Sequence, residues 1–167
     1  TGSIWPRWRV WTLDVDRGLA SEKLLVLAKA SGVPSSMFEV SCLRIDAEKI
    51  AGHQLNNMGT WPWILTLGAR NRKRFAGMQY CPACLASDAI PYLRREWRFA
   101  WQTSCSAHQI LLIDRCWSCD ALVTPHRLVA EDEHLAVCAQ CKADLRLAKR
   151  IAIRHEAKNF QENANAL

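Results

Sequence analysis

Eight side chains able to bind a metal ion occur in pairs along the second half of the chain. Two residues separate the members of each pair, and the pairs are Cys81 with Cys84, Cys105 with His108, Cys116 with Cys119, and Cys138 with Cys141. Two intervening residues let a tight turn point both donor atoms at one ion, and a second pair completes the tetrahedron that zinc prefers. The sequence therefore predicts two zinc ions per chain, held by these eight side chains.

The grouping of the pairs has two alternatives. A cross-braced arrangement, as in RING domains, keeps its histidine two or three residues from the next cysteine, whereas seven residues separate His108 from Cys116. We therefore pair along the chain, with Cys81, Cys84, Cys105 and His108 at one ion and the other four cysteines at the second. Disulfides are the other alternative, but the N-terminus lacks an export signal, which favours a reducing compartment and free thiols.

Structural ions are favoured over catalytic ones. Four protein ligands close a zinc site, while a catalytic zinc keeps one position for water. The Cys81 to Cys84 motif resembles half of a zinc-deaminase site, but those enzymes also need His-x-Glu upstream, and His53 is followed by Gln54 and Leu55. No His-Glu-x-x-His helix or phosphate-binding glycine loop occurs in the sequence. We therefore expect a protein without enzymatic activity.

Helices are predicted before the ligand pairs. Residues 21–31 have an apolar stripe and end before Gly32, and a second helix begins at Ser35 or Ser36, either of which can cap it. Asp46 can cap a third helix that ends at residue 50 or 51. The short glycine-containing connection is typical of a helix-turn-helix, although it also joins helices in other helical domains. The candidate DNA-reading residues on the second helix are Ser35, Ser36, Glu39 and Arg44.

Positive charge clusters beside the first ligand pairs. The formal net charge is +6, and seven thiolates on two zinc ions would lower it to about +3. Residues 70–74 carry four cations, and residues 91–102 have the spacing of a helix with three arginines opposite its apolar face. A solvated linker and a solvated helix face are the alternatives to DNA binding. The candidate phosphate contacts are Arg70, Arg72, Lys73, Arg74, Arg94, Arg95 and Arg98.

These patterns predict a small α+β protein. We expect a helical, helix-turn-helix-like domain with an N-terminal aromatic strand over residues 1–66 and a basic joint over 67–80. Two tandem zinc-ribbon-like modules would follow over 81–150, with a polar tail or linker over 151–167. Most of the eight tryptophans should be core, and residues 61–67 should form a buried extended segment. No stretch is apolar for the roughly 20 residues that a membrane span needs, so we expect a cytoplasmic location and no membrane partner.

Several segments of the sequence resemble the TniQ family of bacterial transposition proteins. They are the run from Trp61 to Gly68, the basic stretch over 70–74, the segment Gln79-Tyr80-Cys81-Pro82-Ala83-Cys84, and the segments 91–98 and 111–116. The resemblance covers roughly residues 27–147 and is most specific over 61–127. The family's Ser-Trp pair, which opens its first helix, is not visible before Leu24. Trp117 and Asp120 stand where the family commonly has Pro and Gly.

The resemblance implies a function. Family members, including target-selecting TnsD proteins and the TniQ subunits of CRISPR-associated transposons, are adaptors that join a target-recognising component to an AAA+ regulator ATPase. It also implies a helix-turn-helix at residues 24–43, the eight ligands grouped as above, and a nucleoid-associated location in a bacterium. We therefore expect DNA and the ATPase as partners, with an RNA-guided effector and a homodimer as further candidates. The alternative is a protein interaction module with little DNA binding of its own.

Overall fold

The computed structural model describes residues 14–56, 61–65 and 77–153. In this part of the chain it shows a small α+β protein with few helices and a short two-stranded sheet. The helices are α1 (Ser21–Ser31), α2 (Ser35–Ser41), α3 (Arg44–Ala51) and α4 (Pro82–Ser87), and the antiparallel strands are β1 (Ser104–Cys105) and β2 (Ile110–Leu111). Single turns of 3-10 helix cover Val15–Arg17, Arg95–Arg98, Pro125–Arg127 and Leu145–Leu147.

The chain forms two compact units. Among the described residues, 14–56 with 61 and 62 belong to a helical unit, and 63–65 with 77–153 belong to a cysteine-rich unit. Within the cysteine-rich unit Ile64 pairs with Phe99, and Ala152 pairs with Ile110. The predicted limits of the domains, the joint and the tail stay a prediction. The predicted aromatic strand over residues 5–11 lies outside the described residues.

The first helix matches its prediction, and the next two differ from theirs. α1 ends where Gly32 adopts φ 72° and donates its N–H to the carbonyl of Ala28. α2 stops earlier than expected because Cys42 is extended and Leu43 donates its N–H to the carbonyl of Asp16 instead of continuing the helix. No serine or aspartate side chain caps α2 or α3, whose N-cap residues are Pro34 and Leu43.

The helical unit packs around four buried side chains, which are Leu24, Leu43, Ala47 and Trp61. The guanidinium groups of Arg17 and Arg44 lie 4.3 and 5.0 Å from the centre of the Trp61 ring. Arg44 also donates to the carboxylate of Glu48 at 2.7 Å and to the carbonyl of Leu55 at 3.0 Å. Arg44 therefore connects the segment after α3 to the helices. Arg44 lies on α3, and its predicted placement on the second helix is wrong.

The helix predicted over 91–102 does not form. Residues 91–94 are irregular, a single 3-10 turn covers Arg95–Arg98, and the chain then turns to pair with residues 63–65. In that pairing Leu65 donates its N–H to the carbonyl of Arg98, and Ala100 donates to the carbonyl of Trp63. The spacing of apolar residues within 91–102 is the same whether this segment forms a helix or an irregular chain that pairs with residues 63–65. The distant residues 63–65 therefore decide between the two structures.

Two predictions about burial also need correction. Trp61 and Ile64 are buried as expected, but Trp63 between them is 61% exposed, and Trp117 is 52% exposed. Arg98, predicted to face solvent, is fully buried, and its guanidinium donates to the carbonyl of Leu65 at 2.7 Å. Among the described helices, none combines the length and the apolar character that a membrane crossing requires.

The packing of the helical unit gives a first prediction. We expect Leu43→Ala to lower the free energy of unfolding of this unit by about 2–5 kcal/mol, because it removes a fully buried side chain. Leu25→Ala is the matched control, since Leu25 is 63% exposed and its loss should change stability by no more than about 0.5 kcal/mol. Denaturant unfolding followed by far-ultraviolet circular dichroism measures both. Equal effects of the two substitutions would contradict the described core.

Candidate metal centres

The first candidate centre joins Cys81, Cys84, Cys105 and His108. The Nδ1 atom of His108 lies 3.7, 3.3 and 3.5 Å from the sulfurs of Cys81, Cys84 and Cys105, and the last two sulfurs are 3.5 Å apart. The three cysteines are buried, whereas His108 is exposed. All four donor atoms lie within 4.8 Å of one another, so the four residues could hold one ion.

The second candidate centre joins Cys116, Cys119, Cys138 and Cys141. The sulfurs of Cys116 and Cys141 are 3.7 Å apart, as are those of Cys119 and Cys138, and all four lie within 4.8 Å of one another. Cys116 and Cys138 are buried, Cys119 is half-buried and Cys141 is exposed. The structure thus groups the eight residues along the chain, and no cross-braced arrangement occurs among them.

The donor atoms fit zinc in both chemistry and spacing. Bond lengths near 2.3 Å to sulfur and 2.0 Å to nitrogen place tetrahedral sulfurs about 3.8 Å apart and sulfur about 3.5 Å from nitrogen. The separations of 3.3 to 3.7 Å agree with such a tetrahedron. A disulfide would bring two sulfurs to about 2.05 Å, and all eight cysteines are free thiols. Soft thiolate donors also favour zinc over hard cations such as magnesium.

Each of the four ligand pairs lies on its own backbone turn, and the four turns have the same hydrogen bond. The residue four positions after the first ligand donates its N–H to the carbonyl of that ligand, at 3.1 Å in the Cys81 turn and 2.9 Å in the other three. In the first turn that residue, Leu85, continues into α4. In the other three turns it has a left-handed backbone, with φ of 53° at Gln109, 57° at Asp120 and 61° at Lys142. The sequence shows Asp120 where the family commonly has Gly, but the left-handed residue that these three turns share was not predicted.

Burial and hydrogen bonding act in opposite directions on the ligand thiols. Burial raises the pKa of Cys81 and Cys84 well above the ordinary value for a thiol. At the exposed edge of the second centre, the backbone N–H of Ala143 is the largest of the causes that lower the pKa of Cys141 to about 7. Metal ions bind thiolates, so both centres release protons when they are loaded.

The two centres belong to one packed core. Tyr80, directly before Cys81, is fully buried and donates its hydroxyl to the carbonyl of Arg115, directly before Cys116. The backbone of Tyr80 also exchanges hydrogen bonds of 2.8 and 2.9 Å with Ile113. At the other end, the buried Leu145 and its 3-10 turn follow Cys141 and pack against α4. Residues beside each candidate centre therefore pack against, or form hydrogen bonds with, residues beside the other.

The candidate DNA contacts fall into three groups. Arg70, Arg72, Lys73 and Arg74 lie outside the described residues. Ser36, Glu39 and Arg95 are exposed, and Ser35 is half-buried. Arg44, Arg94 and Arg98 are engaged inside the protein. Arg94 makes a two-pronged ion pair with Asp88 at 2.8 and 3.1 Å, which raises the pKa of Arg94, and it lies 4.4 Å from the Tyr92 ring.

The turns give a second prediction. Gln109→Gly should raise the free energy of unfolding by about 1 kcal/mol, because glycine adopts a left-handed backbone without a steric penalty. Gln140→Gly is the matched control: Gln140 has no positive φ, so glycine there should lower stability by about 0.5–1 kcal/mol. Opposite signs in denaturant unfolding support the described turns, and a loss of stability in Gln109→Gly contradicts them.

The ligand sets give a third prediction. Cys116→Ser should halve the bound zinc and unfold the second centre, because a structural zinc ion contributes folding free energy on the order of 10 kcal/mol. Cys42→Ser is the matched control, since Cys42 lies in the helical unit and belongs to neither candidate centre. Elemental analysis and thermal melting measure both variants. Unchanged zinc content and melting in Cys116→Ser would remove this residue from the ligand set.

A known protein family matches a large part of the chain. The family model described as TniQ matches residues 6–112, more than half of the chain. The resemblance noted in the sequence covers residues 27–147, and the family match both begins and ends earlier in the chain. It therefore includes the first candidate centre and stops before the second. Searches of curated proteins and of solved structures gave no significant match. The chain belongs to the TniQ family and is a transposition-associated protein.

Proposed function

We propose that this protein is a non-catalytic, zinc-stabilised adaptor in transposition target selection, which links target recognition to an AAA+ regulator ATPase. Membership of the TniQ family is the observation that carries the proposal. The two four-ligand clusters add to it, because they give a short chain a stable scaffold on which binding surfaces can be displayed.

The proposed role of the zinc ions is structural. Each cluster offers four protein donors, and seven of the eight are thiols. A tetrahedral ion held by four such donors has no position left for a water molecule or a substrate. The ligand turns also belong to the packed core, where an ion holds the chain in place. These features support a protein without catalytic activity.

DNA is the first proposed partner. The four cations over 70–74 and the exposed Arg95 would contact phosphates, which position a protein on a duplex without reading its sequence. Arg94 and Arg98 are left out of this surface because their guanidinium groups are engaged within the cysteine-rich unit. Base contacts would come from α2, where Ser36 and Glu39 are exposed and hydroxyl and carboxylate groups can bond to base edges.

Protein partners follow from the same proposal. The AAA+ regulator is the principal one, and an RNA-guided effector of a CRISPR-associated transposon is a further candidate, as is a second copy of the chain. The proposed location is the bacterial cytoplasm, in association with the nucleoid.

A second candidate function rests on the surface of α2. Met37 and Val40 are each 55% exposed, and the seven residues of this helix include no lysine or arginine. A helix with exposed apolar residues, the exposed acidic Glu39 and no cation suits a protein partner better than a phosphate backbone. In this alternative the protein docks on the ATPase or on an RNA-guided effector and binds little DNA itself.

A salt series separates the two functions and gives a fourth prediction. Duplex affinity should fall steeply with salt, and Arg72→Ala should weaken binding and lower the magnitude of the logarithmic salt slope by about 1, because each neutralised phosphate releases counterions. Fluorescence anisotropy of a labelled duplex measures both quantities.

Lys49→Ala is the matched control for that measurement. Lys49 is an exposed cation on α3, outside the proposed phosphate surface, so its removal should leave the slope unchanged. Negligible duplex binding at every salt concentration would overturn the DNA-binding part of the proposal and favour the interaction module.

A further inference from the structure

The two candidate centres differ in how far solvent reaches their thiols. In the first centre all three thiols belong to buried residues, and the exposed donor residue is His108. In the second centre Cys116 and Cys138 are also buried, whereas Cys119 is half-buried and Cys141 is exposed. A dissolved reagent that reacts with sulfur therefore meets the second centre at Cys141 and meets no exposed cysteine at the first.

Local structure explains this difference. The turn that begins at Cys81 continues into α4, four of whose six residues are buried in the core. The turn that begins at Cys138 lies at the surface, where Gln140 and Lys142 on either side of Cys141 are exposed. The other six candidate thiols belong to the hydrophobic core or pack against it, and Cys141 does neither.

Exposure is the property that distinguishes these thiols toward an oxidant. Susceptibility of a cysteine to oxidation follows its thiolate character and its exposure. All seven candidate ligands would be thiolates on zinc, so exposure decides which of them reacts first. The exposed His108 offers no equivalent point of attack, because an imidazole ring has no sulfur that peroxide can oxidise.

We propose that Cys141 is an oxidation site, at which hydrogen peroxide opens the second centre before the first. This inference goes beyond the adaptor function and rests on the proposed zinc occupancy of both centres. The family match ends at residue 112, so the centre that opens first lies in the part of the chain after that match. Oxidation would thus release the chain from Cys116 to Cys141 while the donors of the first centre stay reduced.

The reaction consumes one peroxide and two thiolates of the second centre. The sulfur of Cys141 attacks an oxygen of hydrogen peroxide, so that an S–O bond forms, the O–O bond breaks and hydroxide leaves. A second thiolate then attacks the sulfenic acid at Cys141, which forms a disulfide and releases another hydroxide. The sulfur of Cys116, 3.7 Å from that of Cys141, is within reach for this step.

Electrons and ligands balance in these two steps. The two sulfurs give up two electrons, and these reduce the peroxide to two hydroxide ions, which take protons from the solvent. The centre then retains two of its four thiols. Two donors are too few for a structural zinc site, so the ion leaves the protein.

Zinc release from the full chain measures the order in which the centres open. The zinc-loaded protein is treated with hydrogen peroxide, and a chromogenic chelator records the metal that is released. One zinc per chain should appear in a first phase, and the second should follow about tenfold more slowly. Peptide mapping after the first phase should find Cys141 in a disulfide with another thiol of its centre, and Cys81, Cys84 and Cys105 still reduced.

Cys141→His keeps a zinc donor and removes the oxidisable sulfur. It gives the second centre three thiols and one imidazole, the donor set of the first, so both zinc ions should still bind. The first phase of release should become about tenfold slower. Cys42→Ser is the matched control, because it removes a thiol that belongs to neither candidate centre and should leave both phases unchanged.

Several results would overturn the assignment of Cys141. They are simultaneous release of both ions, a first disulfide that lacks Cys141, and an unchanged first phase in a Cys141→His variant that binds two zinc ions. If that variant loses its second ion, the disulfide map of the unchanged protein decides alone. Zinc content before oxidation separates this assignment from the proposed zinc scaffold: fewer than two ions at that stage counts against the scaffold, whereas the results above leave it intact.

Discussion

The gathering of seven thiols and one imidazole into two groups of four donors is the constraint on which the cysteine-rich unit depends. Regular secondary structure within its described residues amounts to a six-residue helix, two strands of two residues and three turns of 3-10 helix. Hydrogen bonds of such short elements cannot hold a fold by themselves. Four turns bring the donor atoms together in two groups, and a metal ion bound to each group would fix the turns in space.

The two groups act on one core. Tyr80 connects the chain before Cys81 to the chain before Cys116, and Leu145 connects the chain after Cys141 to α4, which contains Cys84. The core between them includes Trp97, Val123 and Ala136. Because the centres share these side chains, the loss of one ion would loosen the support of the other. A tandem arrangement in sequence is thus a single packed body in space.

Local signals predicted the ligands and α1, and distant contacts decided what was missed. The spacing of the cysteines and the glycine after α1 are short-range features that a sequence shows directly. Arg98 is different. Its burial depends on the carbonyl of Leu65, which pairs with it across 33 residues, and no periodicity within 91–102 reveals that partner. Cys42 ends α2 for a similar reason, because Leu43 bonds to Asp16.

X-ray absorption at the zinc edge, combined with elemental analysis of the same preparation, tests the central claim most directly. The account predicts two zinc ions per chain, each with four ligands, and a first shell that averages to sulfur with a minor nitrogen contribution from the single histidine. Fewer than two zinc ions per chain, or a shell with oxygen ligands from water, would contradict it.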